Sequence, residues 1–312
     1  MAAAANRSVE LLGHRGARGL APENTLPGFE RALEIGVSGF ELDCAITRDG
    51  VVVVYHDAVL NPDITRGPDG KWLKRAGPAI WSLAYDELQR YDVGRIKPRS
   101  AYRLRFPRQQ PADGTRIPRL ADLYALAAKA GNENLRYWLE LKCSPLKPEQ
   151  TTAPEDFARN VIAAVRAAGA ASRTAILSFD WRTLAAAQQE APDIPTVYLT
   201  AQQLWLDNIL AKRRESPWTP GLHVSRFGGS IPAMIKAAGG AAWAAYFEEI
   251  TPEFVKEAQS LGLKVLVWTV NEPDDMRRMI GWGVDAVISD YPDRLRTVAG
   301  GMGVPLPPPV VP

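Results

Sequence analysis

Eight short runs of strand-forming residues recur along the chain, and helix-like stretches separate most of them. The strand candidates are residues 9–14, 40–46, 137–142, 174–179, 195–200, 242–247, 264–270 and 285–290. Helical patterns occupy 24–35, 118–130, 156–168, 181–190, 252–261 and 274–282. Parallel strands cannot be joined by tight turns, so this alternation predicts a parallel sheet with crossover helices. Eight such units favour an α/β fold closed into a (β/α)8 TIM barrel. An open doubly wound sheet is the alternative. The first helix carries its own punctuation: Thr25 as a cap, Pro27 in the first turn and Gly36 past the end.

Two stretches break the rhythm. Residues 61–116, before the third strand, are rich in Pro, Gly and Arg and have little apolar periodicity. Within them, 95–108 carries six basic residues (Arg95, Lys97, Arg99, Arg103, Arg105, Arg108) and no acid. Insertions this long in compact domains are functional or disordered. The second break, 201–229, holds Trp205, Trp218 and the basic run Lys212-Arg213-Arg214. The chain ends in VPLPPPVVP, a proline-rich tail expected to be extended and peripheral. We read 1–312 as a single domain, with 61–116 as a long basic insertion and 301–312 as the tail.

Charge narrows the function classes. The 37 basic and 35 acidic residues leave a net charge of +2, which argues against bulk nucleic-acid binding. Two cysteines, Cys44 and Cys143, are no disulfide framework and point to a reducing compartment. The start, MAAAANRSVELLGHRG, has no apolar signal core. No run is long enough to span a bilayer, so a cytoplasmic protein is expected.

The stretch FELDCAITRDGVVVVYHD, residues 40–57, concentrates the chemistry. Strand side chains alternate between faces, so Glu41 and Asp43 point the same way, inward in a barrel, while Leu42 and Cys44 face the helices. Carboxylates inside an apolar barrel are costly unless paired or metal-bound. Asp49-Gly50 signals a hairpin, so 51–55 folds back beside the second strand and brings His56 near the two acids. The first strand ends in His14-Arg15-Gly16. The third reads LELK, with Glu140 and Lys142 on one face. The seventh carries Trp268, followed by Asn271. Barrel active sites lie at the C-terminal ends of the strands, so these groups converge on one mouth. Three carboxylates without a cysteine or histidine cluster suit one hard divalent cation, Mg2+ or Ca2+. Arg15 and Lys142 suit a phosphate-like anion. Two imidazoles suit a base and an acid on opposite sides of a displacement at phosphorus. His223, in the irregular 201–229 segment, reads as structural, and both cysteines read as buried packing groups.

HRGARGLAPENT (14–25), FELDCAITRDGVVVVYHD (40–57), LELK (139–142), VWTVNEPDDM (267–276) and GVDAVISDYPDRL (283–295) occur in this order across nearly the whole chain. In this combination the chain resembles the glycerophosphodiester phosphodiesterase family. The resemblance implies a barrel of the phosphatidylinositol-phospholipase type. It also implies hydrolysis of small glycerophosphodiesters, such as glycerophosphocholine, to glycerol 3-phosphate and an alcohol. By the same resemblance Glu41, Asp43 and Glu140 hold the metal, and His14 and His56 form the acid/base pair. Arg15 and Lys142 hold the phosphate, Trp268 packs against the glycerol moiety, and Glu23 and Asn24 brace the first loop. The 61–116 insertion is the main departure: it is expected either to form part of a lid or wall, in which Arg99, Arg103 and Arg105 attract anionic substrate, or to be a surface loop without substrate contact. Two other functions stay open. One is lysophospholipase D-like hydrolysis of lysophospholipids, for which apolar surface from Trp205, Trp218 and Phe227 near the mouth would speak. The other is a non-catalytic phosphate-ligand binding protein on the same fold.

Overall fold

Thr25 does cap the first helix, Leu26–Ile35. In the computed structural model, which describes residues 8–311, its Oγ1 accepts the Gly28 amide at 3.2 Å. Gly36 ends the helix at φ +85° and donates its amide to Ala32 and Leu33. That left-handed conformation is open to glycine at little steric cost.

Among the described residues nine strands form: β1 (Glu10–His14), β2 (Gly39–Ile46), β3 (Val52–Val54), β4 (Arg136–Leu141), β5 (Thr174–Ser178), β6 (Thr196–Thr200), β7 (Ala242–Tyr246), β8 (Lys264–Trp268) and β9 (Ala286–Ser289). Eight of them pair in parallel in the order β1-β2-β4-β5-β6-β7-β8-β9, and β9 returns to β1. The ring is closed, so the open doubly wound alternative is ruled out and the TIM barrel holds. β3 is the exception. It runs antiparallel to β2, pairing Cys44 with Val54 and Ile46 with Val52, as the Asp49-Gly50 turn requires. All eight strand candidates form within a residue or two of their expected bounds. Helices Ile231–Ala237 and Pro292–Gly301 complete the outer ring. The expected pattern left both out: the first is only seven residues long, and the second follows its strand almost directly.

Strand alternation sorts the side chains into two cores. Phe40, Leu42, Cys44, Tyr137, Leu139 and Leu141 face outward and pack beneath the helices. Leu12, Trp138, Leu177, Val197, Leu199, Ala244, Leu266 and Ile288 fill the barrel interior. Burying a large side chain of this kind contributes roughly 1.5–3 kcal/mol. Behind β2 and β4 the outer layer is aromatic. Phe29 meets Phe40 at 4.9 Å, Phe40 meets Tyr137 at 6.4 Å, and Tyr137 meets Tyr124 at 4.7 Å between ring centroids. The strands carrying the acids therefore stand on a stiff apolar backing.

The insertion is packed. Ile80, Leu88, Val93, Ile96 and Phe106 are buried in the outer core, and the segment forms two short helices, Tyr85–Leu88 and Ala101–Arg105. Its apolar residues are spaced by turns, which hides any strand or helix period. The tail is extended but held: Val310 donates its amide to Leu33, and Arg296 Nη1 donates to Pro307 O. Residues 1–7, on which the reading of the N-terminus partly rests, and Pro312 of the tail lie outside the described residues. Among the described residues no helix is long and apolar enough to cross a membrane.

Candidate active site

The loop after β1 makes the first wall of the site. His14 closes β1 beside Glu41 in the register. Gly16 follows at φ +84°, and a Cβ there would meet the Gly28 backbone at 2.8 Å, so no larger residue fits without moving the first helix. Two non-glycine residues of this loop, Arg15 (φ +51°) and Asn24 (φ +54°), also adopt left-handed backbone. Strain of this kind clusters at sites where the surroundings over-determine the conformation. Here the Arg15 amide donates to Glu41 Oε2 at 3.3 Å, and the Asn24 amide donates to Arg15 O at 3.0 Å.

Register places the acids. Asp43 lies opposite Glu140, and Glu41 lies opposite Trp138, one inward-facing step below, so the three carboxylates come from adjacent positions inside the barrel. Each offers an oxygen such that all three lie within 4.8 Å of one another. Asp43 is fully buried. Its Oδ2 accepts Asn24 Nδ2 at 2.8 Å and pairs with Arg15 Nε at 3.2 Å, while its Oδ1 has no hydrogen-bond partner and lies 3.8 Å from Lys142 Nζ, beyond hydrogen-bonding distance. A buried carboxylate oxygen left without a donor calls for a cation. Burial, with Asp43 and Glu140 as like charges, raises the Glu41 carboxyl well above the usual range. Burial also raises Asp43, but Arg15, His56 and Lys142 outweigh it and hold that carboxyl well below the usual range. The donor set is all oxygen, compact and acidic, and it fits a hard divalent ion.

Both imidazoles are held by a carboxylate on Nδ1. His14 Nδ1 lies 2.6 Å from Asp290 Oδ1, and its Nε2 faces Glu41 Oε2 at 3.7 Å. His56 Nδ1 lies 2.6 Å from Asp57 Oδ1, and its Nε2 accepts from Lys142 Nζ at 3.1 Å. A carboxylate partner fixes the Nδ1–H tautomer and leaves Nε2 for chemistry. Asp290 is itself clamped. Arg18 donates to it through Nε at 2.7 Å and Nη2 at 3.0 Å, and Asn271 Nδ2 donates at 2.8 Å. Asn61 Nδ2 does the same for Asp57 at 2.7 Å. Burial and Arg18 lower the His14 imidazole to about 4, against the pull of Asp290. Burial, Arg15 and Lys142 hold the His56 imidazole well below its ordinary value.

These groups open onto a cavity of about 620 Å3. His14, Arg15, Glu41, His56, Glu140, Lys142 and Trp268 line it, with Asp43 packed against them, so the residues expected to hold the metal, move protons and bind substrate are brought together. Arg15 Nη1 pairs with Glu23 at 2.7 Å, and Lys142 Nζ pairs with Glu140 at 2.7 Å. The facing wall is carbon: Leu177, Phe179, Leu199, Trp205, Tyr246 and Trp268. Trp268 stacks edge-on with Phe179 at 5.3 Å and contacts Tyr246 at 5.5 Å.

Several expectations need adjusting. Of the three aromatics expected near the mouth, only Trp205 lines it. Trp218 is buried in the barrel interior, and Phe227 packs against the outer core. Of the three insertion arginines, only Arg105 lines the cavity, beside Tyr102. Arg103 turns inward, donating to Phe106 O and Gln109 O, and Arg99 is exposed. His223 is structural: it is buried and caps the short helical turn Val224–Phe227. Both cysteines are free and buried. Sequence reasoning did not single out Asp290, Asp57, Arg18 or Tyr102. Asp290 ends a strand candidate and Asp57 adjoins His56, so position alone could have found those two. Nothing local marks Arg18 or Tyr102. Tyr102 Oη donates to Glu23 Oε2, and Arg18 Nη1 donates to Tyr102 Oη at 3.5 Å, so the insertion is tied into the first loop.

Comparison with known proteins agrees with this geometry. The model of the glycerophosphoryl diester phosphodiesterase family matches residues 14–294. A glycerophosphodiester phosphodiesterase of Caldanaerobacter subterraneus is 28% identical over 286 residues, covering 91% of this chain and 95% of that one. A crystal structure from Silicibacter pomeroyi, provisionally described as a glycerophosphoryl diester phosphodiesterase, superposes with a TM-score of 0.85 at 39% identity, covering 96% of this chain and 95% of that one. A phosphodiesterase of Oleispira antarctica, solved with its product sn-glycerol-3-phosphate, shares the fold at a TM-score of 0.66 and 22% identity, covering 93% and 96%. From His14 to the last barrel helix, this chain belongs to the glycerophosphoryl diester phosphodiesterase family, and its activity is the hydrolysis of glycerophosphodiesters.

Proposed function

We propose that the chain hydrolyses small glycerophosphodiesters to glycerol 3-phosphate and an alcohol, with one divalent cation, Mg2+ or Ca2+, held by Glu41, Asp43 and Glu140. When bound, such an ion supplies Lewis-acid stabilisation of charge on the phosphoryl oxygens. The chain's own residues do the rest. Arg15 and Lys142, now paired with Glu23 and Glu140, line the cavity where an arriving phosphodiester can meet them. His14 and His56 divide the proton traffic through Nε2: one accepts a proton from the attacking oxygen, and the other gives one to the leaving alcohol. Asp290 and Asp57 hold both Nδ1 atoms and aim both Nε2 atoms at the cavity: the base works as the neutral ring, and the acid as the imidazolium that carries a second proton on Nε2. The substrate's negative charge offsets Arg15 and Lys142, which together with burial keep His56 neutral. Trp268, half-buried at the rim, gives an apolar surface for the glycerol carbons.

The observation that carries this reading is the three-carboxylate cluster flanked by two Nδ1-anchored imidazoles, in which the buried Asp43 Oδ1 accepts no hydrogen bond and meets only Lys142 Nζ, at 3.8 Å. The test is a metal-titrated assay across glycerophosphocholine, glycerophosphoethanolamine, glycerophosphoinositol and lysophosphatidylcholine. Turnover should vanish on chelation and return with Mg2+ or Ca2+. Full activity in chelator sinks the ion's role. A preference for lysophosphatidylcholine moves the assignment to the lysophospholipase D-like reading, for which Trp205 on the apolar wall speaks.

A further inference from the structure

The most exposed large apolar side chains of this chain are unevenly placed. Leu104 is 78% exposed, Leu146 65%, Trp205 60%, and Leu204 is fully exposed. Elsewhere Trp81, Phe254, Met302 and Leu306 reach only 37% to 41%, and Val311, at 84%, sits at the end of the tail. The four prominent residues all lie on segments leaving the C-terminal ends of barrel strands, the end that carries the mouth. Leu104 is on the insertion's helix Ala101–Arg105. Leu146 is on the loop after β4, and Leu204 and Trp205 are on the loop after β6. Trp205 and Arg105, the neighbour of Leu104, both line the cavity, so two of the three segments flank the opening itself.

Each segment also presents cations. Arg105 adjoins Leu104, Lys147 adjoins Leu146, and Lys212, Arg213 and Arg214 share a loop with Leu204 and Trp205. All five are exposed. Among the described residues none has a carboxylate partner, whereas the nearby Arg95 and Arg108 are tied to Asp113 and Asp293. On the loops after β4 and β6 the acids Glu149, Asp207 and Glu215 are outnumbered by Lys147, Lys212, Arg213 and Arg214. Single exposed leucines are ordinary, but several on loops at one end of the barrel, each loop also carrying an unpaired cation, form a pattern with a ligand chemistry. Leucine and tryptophan partition into the acyl–headgroup boundary, and lysine and arginine seek anionic headgroups.

We propose that the mouth face docks on an anionic lipid surface, with Leu104, Leu146, Leu204 and Trp205 entering the boundary and the cations resting on headgroups. The cavity then opens toward the leaflet. This docking does not depend on the ion or the histidines, and it is read without turnover.

The experiment is co-sedimentation of the full chain with vesicles of phosphatidylcholine plus phosphatidylglycerol, and with phosphatidylcholine alone. Binding is expected to the mixed vesicles, and it should weaken with salt. Replacing three apolar tips together (Leu104→Ser, Leu146→Ser, Leu204→Ser) should lower the partition coefficient by at least about tenfold. Reversing the loop cations (Lys212→Glu, Arg213→Glu, Arg214→Glu) should lower it by about fivefold per site and flatten the salt dependence. None of these six lines the cavity, so both variants should keep their turnover of soluble glycerophosphocholine. Absence of binding to mixed vesicles overturns the proposal, as does equal binding to neutral ones or binding undiminished by the leucine substitutions. So does a dimer that dissociates in the leucine variant while vesicles are ignored, which gives the face to a second copy of the chain.

Discussion

The mouth of the barrel has two unlike arcs. Along β1, β2, β4 and β9 it is built of ionisable groups, nearly all buried: His14, Arg15, Glu41, Asp43, Glu140 and Asp290. Along β5 to β8 it is built of carbon: Leu177, Phe179, Leu199, Tyr246 and Trp268. The apolar arc cannot solvate the charges opposite, so they act on one another in a low effective dielectric. That is why burial heads the causes of the shifts at Glu41, His14 and His56. One arc supplies reactive groups, and the other sets how strongly they feel each other and what shape of molecule fits between.

If this division is right, damage to the charged arc should strike turnover and damage to the apolar arc should strike binding. The largest effect is expected at the imidazoles. His14→Ala or His56→Ala should lower kcat by about 10^2- to 10^4-fold, while divalent-ion affinity, followed by titration calorimetry, changes little. Near-normal turnover in either variant removes proton transfer from this arc. A smaller loss tests the support behind the ring. Asp290→Asn keeps the size but offers His14 the wrong hydrogen-bonding partner and strips Arg18 of its counter-charge, so kcat should fall by about 10- to 100-fold with KM nearly unmoved. Equal changes in kcat and KM, or a shifted pH–rate profile of full amplitude, contradict a positioning role.

The two arcs were also unequally legible. A charged residue at an inward strand position breaks the apolar alternation, and Glu41, Asp43 and Glu140 announced themselves that way. His14 and His56 stood out because the chain has so few histidines. An apolar residue at the rim gives the same signal as one in the core, so Phe179, Leu199 and Tyr246 passed unremarked, and Trp218 was expected at the mouth when it fills the interior. The barrel itself was readable because strand period and helix period alternate along the chain. The insertion was not, because Ile80, Val93, Ile96 and Phe106 anchor it one at a time, with no repeat to detect. Tyr102 and Arg18 escaped for a further reason: they reach Glu23 and Asp290 only through long-range packing.

Trp268 tests the apolar arc directly. Its ring is held by Phe179 and Tyr246 and by its Nε1, which donates to Ala244 O at 3.1 Å. Trp268→Ala removes contact area that ground state and transition state share, so KM should rise about tenfold while kcat holds. A collapse of kcat at unchanged KM would mean that the ring positions the reacting groups and that the arcs do not divide as described.

The smallest effect is a pH dependence of stability that the two arcs create together. In the chelator-treated protein the Glu41 carboxyl is raised by burial and then by Asp43 and Glu140, against Arg15. The native state then binds a proton that the unfolded chain releases near the ordinary glutamate value of about 4.3. Between that value and the raised one the native state holds more protons, so this group's contribution to stability is present at the acid end and is lost as pH rises through the window. Asp43, held below the usual range, works in the opposite direction and at lower pH. The Glu41 share is isolated by comparing Glu41→Gln with the parent chain. The variant should gain on the parent as pH rises from about 5 to 8, by a few degrees in Tm. Added Mg2+ or Ca2+ should abolish that gain, because the ion takes the proton's place in the parent and finds one carboxylate fewer in the variant. Parallel Tm curves at every pH, with and without the ion, would mean that the three acids are solvated well enough to ignore one another, and that the carbon wall does not shape the charged one.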